Sequence, residues 1–387
     1  MKRWLCAFTS ALLLTAAAFG AEGKGIANWE SDSPAMATIM SFVEEVCDES
    51  SSSYVAPSER IAVFDSDGTL YGELFPTYVD QCLMMHRFLH DDTYEGLAED
   101  KAYNQAMEDE LLRGGEEAKT DKSSGQMLAE AFAGFTVDEY RAYVRDFLDN
   151  TPVVGFEGMT YAQGYYKPMI SLVEYLAEHD FHVYVVSGAE TNMLRELELG
   201  YLDAWIPPYQ VIGSSFSYAA QNQGDTEGRN YTLAPDELVI LEGNMVFKNL
   251  KVNKVASIQE RIGLVPTLAF GNSSGDFSMG TYAVQNGGKA YMLLADDAER
   301  DYGNPEKAEA FKEQCTEFGF ETVSMRDEFE TIYGEGVVKT FIGETEEAEE
   351  VAEEVEEVEE AAEEVAEEAE EIIEEVTEAL EALEPAA

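Results

Sequence analysis

Apolar positions recur along this chain in two rhythms. Ile39, Phe42, Val43 and Val46 fall three and four apart, which predicts a short helix ahead of the first strand. Residues 60–65 (RIAVFD) are a continuous β-prone run that ends at a polar turn. From 78 to about 150 the chain is helix-forming and strand-poor, interrupted by a loop near Gly114, Gly115 and residues 123–125. Pro168 opens a helix that runs to Glu178, and residues 182–186 (HVYVV) form a second buried strand. Residues 237–248 (ELVILEGNMVFK) read as a hairpin turning at Gly243 and Asn244. An amphipathic helix follows over 254–262, then strands over 267–270 and 290–294. Strands separated by helices predict an α/β fold with a parallel sheet, its ligand held beyond the carboxyl ends of the strands.

Those strand ends carry the candidate chemistry. The first empties into Asp65-Ser66-Asp67-Gly68-Thr69-Leu70, two carboxylates one residue apart at a turn. The second ends at Ser187-Gly188, a hydroxyl and a flexible turn with backbone N–H groups. The third ends at residues 271–276 (GNSSGD), with Asn272 and Asp276 as oxygen ligands four residues apart. Lys254 opens the amphipathic helix carried by Val255, Ile258 and Ile262, so an ammonium and helix N–H groups meet at one junction. Lys248 and Lys251 lie close enough to compete for that role. A pocket of carboxylates, an ammonium, a hydroxyl and amides suits Mg²⁺ and a substrate phosphate.

Four ordered segments make this chain resemble the haloacid dehalogenase (HAD) superfamily over roughly residues 28–335. Residues 65–70 are similar to its first motif, DxDGT(L/V); Ser187, Lys254 and 271–276 suit the second, third and fourth. The likeness is greatest to secreted phosphatases of the phosphoserine-phosphatase-like branch, which carry ERIAVFDxDGTLW and FGNSxGD segments. The resemblance implies a Rossmann-like core over 28–73 and 155–335, with a helical cap inserted over 74–154. It implies that Asp65 attacks phosphorus and that Asp67 acts as general acid and base. It implies that Thr69, Ser187, Gly188 and Lys254 hold the phosphoryl oxygens. Mg²⁺ would take Asp65, the Asp67 carbonyl, Asn272 and Asp276. Asn272 stands where many members have Asp, which removes one negative charge from the metal site. Dehalogenating members lack an acid at the position of Asp67, so a phosphomonoester of a small metabolite is the expected substrate. Glu73 reads either as a contact to an amine-bearing substrate or as a carboxylate at the cap junction. Tyr71, Tyr165 and Tyr166 read either as faces for a quaternary ammonium or as packing between core and cap.

Beyond the core, Lys2 and Arg3 precede an apolar run over 4–18 and small residues to Gly20 and Ala21, the pattern of a signal peptide over 1–21. An exported protein, in periplasm or medium and without a membrane span after cleavage, is the expectation. Cleavage leaves Cys47, Cys82 and Cys315, enough for at most one internal disulfide. His86 and His90 lie four apart on a predicted helix and lack a third metal ligand in the sequence nearby.

The formal charge is −54, and residues 344–387 hold 22 Glu with no Lys, Arg or Asp. Removing those 22 charges leaves −32 on the rest, so the body is acidic as well. That balance excludes nucleic acid as a natural partner, because phosphate binding needs clustered Lys and Arg. Within the tail, Val351, Val355, Val358, Ala362, Val365 and Ala369 alternate four and three apart, a heptad seam among Glu. The tail reads as a helix strengthened by cations, acid or self-association, or as a solvated disordered segment. One alternative belongs to another class: a catalytically inactive HAD-fold scaffold whose acidic tail binds cations or a basic partner.

Overall fold

The computed structural model describes residues 25–114 and 117–340; the signal-like segment and the Glu-rich heptads lie outside the described residues. The described chain begins with α1 (Pro34–Cys47), β1 (Ile61–Phe64) and α2 (Val79–Met85), which continues as a π-helical turn over His86–His90. Then come α3 (Ala98–Arg113), α4 (Ser124–Ala131), α5 (Val137–Asn150), β2 (Phe156–Glu157) and α6 (Lys167–Glu178). Next are β3 (His182–Glu190), α7 (Thr191–Leu197), β4 (Val211–Ala220), β5 (Val239–Phe247) and α8 (Val252–Arg261). The remainder is β6 (Leu268–Gly271), α9 (Phe277–Val284), β7 (Lys289–Leu294), α10 (Pro305–Phe318), β8 (Glu321–Ser324), α11 (Met325–Glu328) and β9 (Val338–Lys339).

Seven strands form one sheet in the order β5-β4-β3-β1-β6-β7-β8, and β2 pairs with β9 apart from it. Every neighbouring pair in the large sheet is parallel except β4 with β5. All four residues of β1 are buried, as a strand covered on both faces requires. Ala62 and Phe64 join a core with Ile39 of α1 and Leu172 of α6, whereas Ile61 and Val63 join Ile258 of α8 and Met279 of α9. Helices therefore cover both faces, giving the predicted α/β architecture. The chain leaves β1 for β3 on one side and later returns to β6 on the other. The carboxyl end of β1 is thus a topological switch point, where an open α/β sheet leaves a crevice for ligand.

Four helices, α2 to α5, occupy residues 79–150, as the strand-poor stretch predicted. Their boundaries have local causes. Ser123 caps α4 by accepting the Gln126 N–H, and Thr136 with Glu139 forms a reciprocal capping box at the start of α5. Two sequence expectations fail here. Gly125, expected in a loop, lies inside α4, where an added Cβ would stand 2.2 Å from Met245 Cε; its bareness permits close packing on β5. Residues 237–248 do not turn back at Gly243. They form a single strand, and the register runs Phe216↔Met245 and then Tyr218↔Leu241, so β5 carries surplus residues as a bulge. Gly243 has φ +91°, which suits that bulge as well as the turn it resembles. Cys47, Cys82 and Cys315 are free thiols.

Candidate active site

Asp65 directly follows β1, and its N–H extends the ladder by donating to the Phe270 carbonyl of β6 at 2.9 Å. The chain then turns sharply: the Ser66 carbonyl accepts from the N–H groups of Thr69, Leu70 and Tyr71. Gly68 sits in this turn at φ +73°, and a Cβ there would fall 1.9 Å from Asn272 Nδ2. Both the backbone angle and the closeness of the β6 loop therefore require glycine.

Lys254 lies in the first turn of α8, is 1% exposed, and donates to Asp65 Oδ1 at 2.7 Å and Asp276 Oδ1 at 2.6 Å. Lys248 instead donates to the Gly188 carbonyl at 2.8 Å, and Lys251 is an exposed residue at φ +56° before the helix. Of the three lysines, Lys254 is the one whose ammonium is buried between the two carboxylates. The N–H groups of Asn253 and Lys254 at that junction already donate to the carbonyls of Leu250 and Lys251, so they are not free to form the expected amide cradle. Asp276 Oδ2 accepts from the N–H groups of Asn272 and Ser273, which folds the β6 loop back on itself.

A cavity of about 220 Å³ opens at this switch point. Asp65, Asp67, Glu73, Ser187, Gly188, Lys254 and Asp276 reach it together. Thr69 and Asn272 stand behind its wall, joined by a Thr69 Oγ1 to Asn272 Oδ1 hydrogen bond of 3.3 Å, while Asn272 Nδ2 donates to Glu73 Oε1 at 2.7 Å. The segment between β1 and β3 supplies a wall that the strand-end motifs did not reveal: Tyr78, Asp80, Gln81 and Ser124. Asn249 was also missed. It is fully buried and donates to the carbonyls of Ser187 and Ile212 while accepting from Ser257, which ties β3, β4 and α8 together behind the pocket. Its signal in the sequence was only a polar residue between a strand and an amphipathic helix.

The tyrosine trio packs instead of lining the cavity. Tyr71 donates to the Tyr161 carbonyl at 2.6 Å and meets Tyr165 edge-on, and Tyr166 is fully buried beside Tyr333. The aromatic group at the cavity is Tyr78. His86 and His90 lie elsewhere, at an apolar cavity beneath the helices, with His90 paired to Glu108 at 2.9 Å.

Charge in the cavity is unbalanced. Five carboxyl groups (Asp65, Asp67, Glu73, Asp80, Asp276) face two ammonium groups, Lys248 and Lys254. Burial, then repulsion from Asp276, lifts Asp65 to about 6 despite Lys254. Burial lifts Glu73 to about 8, with the Asp65 charge adding to it. Asp67 is pushed well above the carboxylate range by burial and then by Asp80, Asp65 and Glu73; its Oδ1 is buried without a hydrogen-bond partner. Burial alone would depress Lys254, but Asp276 and Asp65 override it and raise the ammonium. Among the described residues no three His, Cys, Asp or Glu side chains already stand as a metal centre. The donor set nevertheless fits Mg²⁺, which takes one or two carboxylates together with waters and substrate phosphate. A divalent cation beside Asp65 and Asp276 would offset the surplus negative charge.

No curated protein matches the chain. Among solved structures it is similar to a conserved functionally unknown protein of Anaerococcus prevotii, at 14% identity over 76% of this chain and 92% of that one (TM-score 0.46). It is similar to cytosolic 5'-nucleotidase IIIB bound to cytidine at 12% identity over 76% and 88% (TM-score 0.44). A phosphoserine phosphohydrolase-like protein of Francisella tularensis gives 15% over 61% and 88% (TM-score 0.33). The haloacid dehalogenase-like hydrolase family model matches residues 62–281, a span that contains all but the first residue of β1, the inserted helices and all the strand-end residues above. The chain therefore belongs to the haloacid dehalogenase-like hydrolases.

Proposed function

We propose that this hydrolase is an exported, Mg²⁺-dependent phosphomonoesterase that works through an aspartyl-phosphate. The observation that carries the reading is Asp67. A buried carboxyl with an unpartnered oxygen, its proton held tightly by its surroundings, stands at the same cavity as Asp65. A carboxyl whose proton is favoured by burial and by neighbouring carboxylates is suited to protonating an alkoxide leaving group. Halide departure needs no such proton.

In this scheme an Asp65 carboxylate oxygen attacks phosphorus in line, forming the acyl-phosphate bond as the ester P–O bond breaks. The departing alcohol oxygen takes its proton from Asp67. A water then attacks the phosphoryl group, gives its proton to Asp67, and releases phosphate while Asp65 is restored. Lys254 keeps the Asp65 carboxylate oriented and neutralises charge beside the transferring group; Ser187 and Gly188 border the same space. When bound by Asp65, the Asp67 carbonyl and Asp276, with Asn272 behind them, Mg²⁺ would supply Lewis-acid stabilisation of the phosphoryl oxygens. Thr69 would act through Asn272, to which it is bonded.

A cavity of about 220 Å³ favours a small phosphorylated metabolite. On this reading residues 74–154 are the cap, and Asp80, Tyr78 and Glu73 meet the alcohol portion. Export rests on the signal-like pattern over 1–21, and the Glu-rich heptads offer a surface for cations or for a second copy of the chain. The test is release of phosphate from p-nitrophenyl phosphate with and without Mg²⁺. Mg²⁺-dependent turnover that disappears in Asp65→Asn is expected; undiminished turnover in that variant would sink the proposal.

A further inference from the structure

We infer that Gln126 is a positioning residue for the substrate side of this cavity, acting through a clasp on the β5 bulge. The inference rests on the phosphatase reading above. β5 is the last strand of the sheet, so the outward backbone groups of its bulge have no strand to pair with. The Gln126 side chain takes that place. Its Nε2 donates to the Gly243 carbonyl at 2.9 Å, and its Oε1 accepts from the Met245 N–H at 3.0 Å. A further Nε2 bond to Glu130 at 3.0 Å fixes the amide from the helix side. Nearby, Leu241 exchanges backbone hydrogen bonds with Gly134 and Phe135 at 2.8 and 2.9 Å.

The clasp has a consequence for the cavity because each side of it leads there. Ser124, two residues before Gln126, lines the cavity from α4. Lys248, three residues after Met245, lines it from the end of β5. Gln126 therefore sets the spacing between two walls while itself lying outside the cavity lining. Asp65, Asp67 and Lys254 are anchored separately, on β1 and α8. Loosening the clasp should weaken substrate binding and leave the chemical step intact.

Gln126→Ala should raise KM for p-nitrophenyl phosphate about tenfold, the scale of one to two net hydrogen bonds, with kcat within about twofold. The Met245 amide should exchange its hydrogen faster. Gln126→Glu keeps the acceptor for Met245 and loses the donor to Gly243, so its KM should fall between the two. In the wild type, inorganic phosphate should slow exchange at the Leu241 and Met245 amides, a measurement that needs no variant to fold. An active wild type whose KM is unmoved by Gln126→Ala, or whose amides ignore phosphate, overturns the inference alone. A wild type inert toward phosphomonoesters overturns the phosphatase reading and this inference with it.

Discussion

Replacing Lys254 by Met removes the one charge that holds Asp65 and Asp276 together. The ammonium is 1% exposed and within 2.7 Å of an oxygen of each carboxylate, so solvent cannot take its place. Breaking a buried ion pair by deleting one partner costs about 3–5 kcal/mol. The variant has one escape, which is to protonate Asp65. Asp65 is already largely neutral at pH 5.5 in the wild type, so it loses little there with the ammonium, whereas Asp276 loses its partner at either pH. Proton uptake is therefore the cheaper route in acid, and the bare pair sets the loss in base. The sign follows: a carboxyl whose folded pKa is raised contributes stability below its unfolded pKa and loses it as pH rises through the folded value. Asp65 already stands at about 6 with Lys254 in place, and removing the ammonium moves it higher. Urea denaturation should thus show Lys254→Met destabilised by about 2 kcal/mol at pH 5.5 and about 3–5 kcal/mol at pH 8. A loss under about 1 kcal/mol at both pH values would refute the electrostatic account of this triad.

Two further outcomes are expected. Glu198 is buried with neither oxygen hydrogen-bonded, although the Tyr165 hydroxyl is its neighbour, and burial lifts it to about 8. Its contribution is lost as pH rises from about 4.5 through 8, so Glu198→Gln should raise stability by roughly 2–4 kcal/mol at pH 8.5 and by little at pH 5; equal melting-point shifts at both would contradict this. Asp67→Asn should lower kcat by about 10²–10⁴ on alkyl phosphomonoesters, and by less on p-nitrophenyl phosphate, whose leaving group departs without a proton. Steady-state kinetics on the two substrates would reveal an equal loss if Asp67 does not serve the leaving group.

How much could be read from the sequence depended on what kind of signal a residue carries. The strand ends were legible because apolar runs such as 182–186 stop abruptly at small or polar residues, and a parallel sheet collects those ends at one edge. Lys254 was legible through the amphipathic helix that it opens. β5 was misread because Gly243-Asn244 is a turn dipeptide by local preference, whereas pairing with β4 makes it a bulge. β4 itself (VIGSSFSYAA) escaped because its serines break the apolar pattern; Ser214 hydrogen-bonds within the fold to Gly188 and Asn249. Asp80, Tyr78 and Ser124 were illegible for a tertiary reason. They belong to helices or to the connection before them, where a polar residue looks like any solvated one until the segment lies against the sheet edge. Tyr71, Tyr165 and Tyr166 left two readings open, and the fold selects packing, since aromatic residues beside a motif pack far more readily than they bind.

The central claim is that Asp65 becomes phosphorylated during turnover. Acid quenching of the protein during hydrolysis of a phosphomonoester, followed by peptide mass analysis, tests it most directly. The account predicts a phosphoryl group on the peptide that contains Asp65, absent from Asp65→Asn and lost when turnover is allowed to finish. Rapid phosphate release with that peptide never modified, or with Asp65→Asn as fast as the wild type, would contradict it.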